Sequence, residues 1–199
     1  MLELILELLG TVAFSLSGAV VGIKKKMGIM GVTTLGVITA VGGGIVRDVL
    51  IGVTPPNTFL HPVYIAVALF SALLMYIPSV YKKLDLNNFF WFLADSLGLG
   101  AFTVIGAYAG LPYGHFFLEV FLGVSTGIGG GIIRDICANR IPVVFTTHTY
   151  GFSCLTGAVI YAVTAKALDP DIAAVIGFAV VVLLRLFSEK NRWKLPRVK

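Results

Sequence analysis

The chain has 199 residues, of which 57% are hydrophobic and 13% charged, with a formal net charge of +5. A mean hydropathy of +0.94 excludes a water-soluble domain, where roughly a quarter of residues are charged. The cations cluster in short segments between long apolar runs, so membrane topology accounts for them and nucleic-acid binding is not needed to do so.

Apolar runs near the ~20 residues that cross a bilayer predict an all-α polytopic membrane protein with seven spans. The first covers about 4–23 and stops at Lys24, Lys25 and Lys26. The second covers 27–51 and is closed by Pro55, Pro56 and Asn57. The third covers 59–80, before Lys82, Lys83 and Asp85. The fourth runs from 88 to about Gly110, Leu111 and Pro112; the fifth covers 113–138, ahead of Asn139, Arg140, Ile141 and Pro142. The sixth covers 143–165, ending before Lys166 and the turn of Asp169, Pro170 and Asp171. The seventh covers 172–187 and leads into a tail carrying Lys190, Arg192, Lys194, Arg197 and Lys199.

Glu3 and Glu7 without a basic flank make a cleaved signal peptide an unsuitable reading of the first span. Seven spans put the ends on opposite sides. With the N-terminus outside, the inner segments take Lys24 to Lys26, Lys82, Lys83, Arg140 and the tail cations, and the outer ones take Lys166 alone. The positive-inside rule therefore predicts an external N-terminus and a cytoplasmic C-terminus in a cell membrane.

The second and fifth spans share a motif. Gly42-Gly43-Gly44-Ile45-Val46-Arg47-Asp48 returns 87 positions later as Gly129-Gly130-Gly131-Ile132-Ile133-Arg134-Asp135. Glu7, Gly10, Phe14, Gly18 and Gly22 of the first span likewise match Asp95, Gly98, Phe102, Gly106 and Gly110 of the fourth, at an offset of 88. Further on, Pro55 aligns with Pro142 and His61 with His148. Spans one to three (about 1–86) thus repeat as four to six (about 87–168), with the seventh span and tail (about 169–199) outside the repeat. An odd number of spans per copy makes the second copy enter the membrane from the other side, an inverted-topology repeat of the kind that places a transport site between its halves.

Glycine triplets weaken a helix by about 1 kcal/mol per residue relative to alanine. They strip side chains from one wall, and a kink or break there can turn backbone carbonyls toward a cavity. Charges inside a span point to function by default. Arg47 and Asp48 project roughly 100° apart on a helix, so each needs another partner, and cross-pairing of Arg47 with Asp135 and Arg134 with Asp48 would satisfy the internal symmetry. The plainer alternative is a close helix crossing locked by buried ion pairs; both can hold at once. Asp95 and Glu119 are further acids within spans, and Thr39, Ser125 and Thr126, with Ser15 and Ser17, are hydroxyls that either line a path or bond their own helix. His61 and His148 suit an interfacial or capping role, with proton sensing as the sharper alternative; His115 has no matched histidine. Cys137 and Cys154 lack metal-ligand spacing and read as small apolar residues. The GIGGG run at 127–131 lacks the strand and turn of a nucleotide loop. No nucleophile–base pair, tightly bound metal site or cofactor motif is evident, and no enzyme activity is expected.

Seven spans, two three-span repeats and a GGGxxRD motif in spans two and five resemble the TRIC family, the trimeric intracellular cation channels, in its prokaryotic branch, also labelled a glycine transporter. The resemblance covers essentially the whole chain. It implies a homotrimer in the membrane lipid with one pore per protomer, running between the inverted halves and centred on kinks at Gly42, Gly43, Gly44, Gly129, Gly130 and Gly131, and conduction of monovalent cations, chiefly potassium. Arg47, Asp48, Arg134 and Asp135 would be its motif charges. The basic motif by which animal members bind a phosphoinositide is missing here, so lipid regulation is not carried over. Arginines beside a cation path repel the ion unless neutralised, so the expectation is that Arg47 and Arg134 brace or gate the path while carbonyls and hydroxyls meet the ion. The residues alone also suit a carrier for a small zwitterion such as glycine, since one cation and one anion can cradle a carboxylate and an ammonium.

Overall fold

A computed structural model describes residues 1–77, 80–81 and 88–191, so Lys82, Lys83, Asp85 and the tail from Arg192 lie outside the described residues. All described secondary structure is helical: α1 (Leu2–Lys24), α2 (Ile29–Leu50), α3 (Asn57–Leu60), α4 (Val63–Met75), α5 (Asn88–Gly110), α6 (Phe116–Cys137), α7 (Val143–Thr146), α8 (His148–Thr164) and α9 (Pro170–Lys190). Five of these (α1, α2, α5, α6 and α9) are long and apolar enough to cross a membrane. At 1.5 Å per residue, the 23 residues of α1 reach about 34 Å.

The breaks follow local chemistry. Lys26 takes a positive φ of 57° after α1, and Gly28 caps α2 from an extended conformation. Gly52, at φ 76°, turns the chain out of α2, a conformation that costs glycine little. Pro170 opens α9 beneath Asp169, whose side chain accepts the Asp171 N–H at 2.8 Å.

The expected third and sixth spans are each divided. Four-residue α3 is followed by His61 (φ −119°, ψ 78°) and then the 13 residues of α4; four-residue α7 is followed by Thr147 (φ −119°, ψ 100°) and the 17 residues of α8. Pro62 accounts for the first break, since the residue before a proline is pushed out of the helical region. The matched angles also correct the repeat alignment. Pro56 and Pro142 cap the two short helices with the same geometry (φ −53°, ψ 143° and φ −54°, ψ 136°), so Pro142 answers to Pro56 and His61 to Thr147. One residue is lost after the motif, and the pairing of His61 with His148 does not hold.

α1, α2, α5 and α6 pack on one another at the centre, with α4 against α1 and α2, α8 against α5 and α6, and α9 against α5 and α8. The glycine stripe packs within the chain. A Cβ on Gly10 would lie 3.1 Å from Phe102, one on Gly18 would lie 2.7 Å from the Leu35 carbonyl, and one on Gly22 would lie 3.1 Å from Val32. Small residues allow helices to approach this closely in lipid, where no hydrophobic drive joins them. Phe14 and Phe102, matched across the repeat, pack with ring centroids 5.2 Å apart and planes tilted by 42°.

Candidate functional site: two vestibules and a glycine crossing

The glycine triplets cross at the middle of the bundle. A Cβ on Gly43 would overlap the Thr126 carbonyl and sit 3.4 Å from the Gly130 nitrogen, and a Cβ on Gly130 would overlap the Thr39 carbonyl. Gly43 and Gly130 are equivalent, as are Thr39 and Thr126, so the contact is reciprocal. Gly10 against Phe102 and Gly98 against Phe14 form a second reciprocal pair. Both helices run uninterrupted through the triplets; the expected helix breaks are absent. The missing side chains serve the close backbone approach, and a regular ladder already satisfies the carbonyls that a break would have freed.

A cavity of about 370 Å³ opens near the start of α1 and the end of α2, lined by Glu3, Glu7, Arg47, Asp48, Asn57, His61, Tyr64 and Tyr108 among others. A narrow extension shares Glu7, Arg47, Asn57 and Tyr64 and ends at Ala40, Gly44 and Phe102. A second cavity, of about 360 Å³, is lined by Lys24, Trp91, Phe92, Arg140, Val143, Thr147, Arg185 and Glu189. These lie at opposite ends of α1, and α5 connects them in reverse, from Trp91 to Tyr108. The α2–α6 crossing stands between them.

The motif charges do not cross-pair. Arg47 donates from Nε to Asp48 Oδ1 at 2.9 Å, and Arg134 donates from Nε to Asp135 Oδ1 at 2.8 Å. Adjacent helical residues diverge, but the long arginine chain folds back over a carboxylate that the following loop has turned. Asp48 Oδ2 accepts the Asn57 N–H at 2.8 Å, and Asp135 Oδ2 accepts the Val143 N–H at 2.9 Å. Each aspartate therefore ties its helix end to the short helix beyond, a role the sequence did not reveal.

Beyond that shared unit the halves differ. Asp135 also receives Arg140, at 2.5 Å from Nη2. Arg134, fully buried, donates from Nη1 to Asp95 Oδ1 and to Ser17 Oγ, both at 2.5 Å. Arg185 places Nη2 at 3.5 Å from Asp95 Oδ2, with its guanidinium 4.5 Å from the Phe92 ring and 4.7 Å from the Tyr150 ring. In the first half Glu7 holds the Tyr64 hydroxyl. No ion pair joins Glu7 to a cation among the described residues.

Of the other expected pathway residues, Asp95 is buried in the ion-pair network. Glu119 is buried at the α5–α6 crossing against Gly110, outside the linings of both vestibules. Thr39 donates to the Leu35 carbonyl at 2.6 Å and Ser125 to the Leu122 carbonyl at 3.3 Å, each within its own helix. Thr126 Oγ1 is buried facing Gly106. Arg185, Arg140, Tyr64 and Trp91 were missed. Arg185 carried a readable signal, an arginine inside the seventh apolar run; for the tyrosines, the 86-residue spacing of Tyr64 and Tyr150 becomes visible only once the short helices are aligned.

A family model described as "Glycine transporter" matches residues 4–79 and 92–166. The chain is 37% identical to a UPF0126 membrane protein of Deinococcus radiodurans, over 96% of this chain and 89% of that one. It is 36% identical to the UPF0126 membrane protein YvgT of Bacillus subtilis, over 96% and 94%. Among solved structures it resembles one described as the structural basis for conductance through TRIC cation channels, with a TM-score of 0.90 at 34% identity over 98% and 96% of the two chains. It also resembles the TRIC orthologue from Rhodobacter sphaeroides, with a TM-score of 0.85 at 30% identity over 96% and 98%.

Proposed function

The chain belongs to the TRIC family, in the prokaryotic branch whose family model carries the description glycine transporter, and from that membership we propose that it is a multi-pass membrane cation channel. Its pore runs through each protomer between two inverted three-helix halves, with α4 and α8 completing a set of seven membrane helices and α9 standing outside the repeat. The permeant ion is a monovalent cation, potassium above all, and the assembly is a homotrimer in an inner or plasma membrane, with its N-terminus outside and its basic tail in the cytoplasm.

The observation that carries this reading is the pair of similar cavities at opposite ends of α1, separated by the reciprocal crossing of Gly43 and Gly130. A path between them opens where α2 and α6 meet backbone to backbone and where Phe14 packs against Phe102. Gly42, Gly43, Gly44, Gly129, Gly130 and Gly131 form that gate. Arg47, Asp48, Arg134 and Asp135 brace it from either end, since each arginine is held by its neighbouring aspartate and is not presented alone to an ion. Thr39, Thr126 and Ser125 stand beside the crossing, where a moving gate exposes hydroxyls and carbonyls to the ion.

Purified protein in a planar bilayer under a potassium chloride gradient is expected to give unitary currents that reverse near the potassium potential. The second reading, a carrier for a small zwitterion, draws on the family description and on the first vestibule, where Arg47 faces the same cavity as Glu3 and Glu7. Silence in the bilayer with saturable glycine uptake into liposomes would select it.

A further inference from the structure

Glu7 and Asp95 occupy equivalent positions in the two halves, yet their surroundings are opposite. Asp95 is 1% exposed and meets two arginines, Arg134 at 2.5 Å and Arg185 at 3.5 Å. Glu7 lines the first vestibule, accepts the Tyr64 hydroxyl with no cation paired to it among the described residues, and leaves Arg47 to Asp48. Part of the difference comes from Arg134, which reaches Asp95 where Arg47 does not reach Glu7, and part from α9, the helix without a counterpart in the first half, which brings Arg185 against Phe92 and Tyr150. The second cluster holds Arg134, Arg140 and Arg185 against Asp95 and Asp135, an excess of one positive charge. Its first-half equivalent, Arg47 against Glu7 and Asp48, has an excess of one negative charge.

We propose that Arg185 makes the pathway electrostatically one-sided. By adding a second cation beside Asp95, which Arg134 already meets, it keeps this cluster positive where the cluster around Glu7 is negative, so under an applied voltage cations pass more readily from the first vestibule to the second than in reverse. Arg185 is thus a selectivity residue acting by its own charge within this cluster, and α9 contributes one of the two cations, with Arg140, that the first half has no equivalent of. This rests on the channel reading above. The clusters sit in low-dielectric walls that focus their fields on the mouths, where one unit of charge alters local cation concentration several-fold.

The test is the ratio of inward to outward current at equal and opposite voltages, in symmetric potassium chloride, for channels inserted in one orientation. Wild-type protein is expected to rectify. Arg185→Gln should move the ratio toward one by about threefold, the effect of one unit charge across roughly 10 Å of partly aqueous vestibule, and Arg185→Lys should retain the wild-type ratio. A buried carboxylate stripped of one partner threatens folding, so the same charge is also removed in a background that lacks the acid. Asp95→Asn should rectify more steeply than wild type, and Asp95→Asn with Arg185→Gln should return to the wild-type ratio. Equal ratios for Arg185→Gln and wild type, or for the Asp95→Asn single and double variants, overturn the proposal. Absence of any wild-type current overturns the channel reading itself, and this inference with it.

Discussion

The glycine triplets offer a graded test, because adjacent glycines in one motif face different neighbours. At Gly43 an added methyl would overlap the Thr126 carbonyl, with the Thr126 carbonyl carbon at 3.2 Å and the Gly130 nitrogen at 3.4 Å. All of these are backbone atoms in the core of a neighbouring helix, so relief requires moving α6 as a body. Overpacking of this kind costs about 3 kcal/mol, only partly offset by the roughly 1 kcal/mol that alanine returns in helix propensity. Gly43→Ala should therefore destabilise by about 2 kcal/mol. At Gly42 the nearest atom is the terminal Cδ1 of Ile133 at 2.8 Å, which can rotate away, so Gly42→Ala should fall within about 1 kcal/mol of wild type. At Gly44 nothing lies nearer than Arg47 Nη2 at 3.9 Å, and Gly44→Ala should be neutral or stabilising by up to about 1 kcal/mol. Reversible unfolding in mixed micelles measures all three. The reciprocal contact predicts that Gly130→Ala tracks Gly43→Ala. Equal losses at Gly43 and Gly44 would refute the reasoning, since propensity and general flexibility treat them alike and only the crossing distinguishes them.

The motif arginines should also part company. Arg134→Gln leaves buried Asp95 and Asp135 short of a partner and should cost about 3–5 kcal/mol, seen as lost folded yield in detergent. Arg47→Gln, at the wall of the first vestibule with one aspartate partner, should fold and change single-channel conductance instead. Asp135→Ala should destabilise more than Asp48→Ala on the same unfolding assay, because Asp135 also holds Arg140. Glu7→Gln should lower potassium conductance most at low ionic strength, where the field of a half-buried carboxylate lining a vestibule is least screened; a deficit that persists unchanged at molar salt would place Glu7 in packing instead.

Much of the architecture is written along the chain. Apolar run length marks α1, α2, α5, α6 and α9 because lipid selects on hydropathy, a property each segment carries alone. The duplicated Gly42–Asp48 and Gly129–Asp135 motifs, and the matching of Gly10 to Gly98 and of Phe14 to Phe102, are visible because an internal repeat is a one-dimensional pattern. Four features waited for the tertiary structure. The triplets stay helical because each helix closes its own hydrogen bonds, and the neighbouring backbone occupies the space the glycines leave. Arg47 and Arg134 pair with their neighbours because the first amides of α3 and α7, at Asn57 and Val143, nine and eight residues on, turn the aspartates toward them. The single-residue loss before Pro142 emerges from backbone angles, since proline and histidine at nearly the right spacing imitate the repeat. Arg185 acquires its meaning only when α9 packs on α5 and carries a cation to Asp95. Sequence determines which segments lie in the membrane and which are related. The partner of a buried charge depends on which acceptor lies within a few ångströms, and that distance is decided only by how the helices pack.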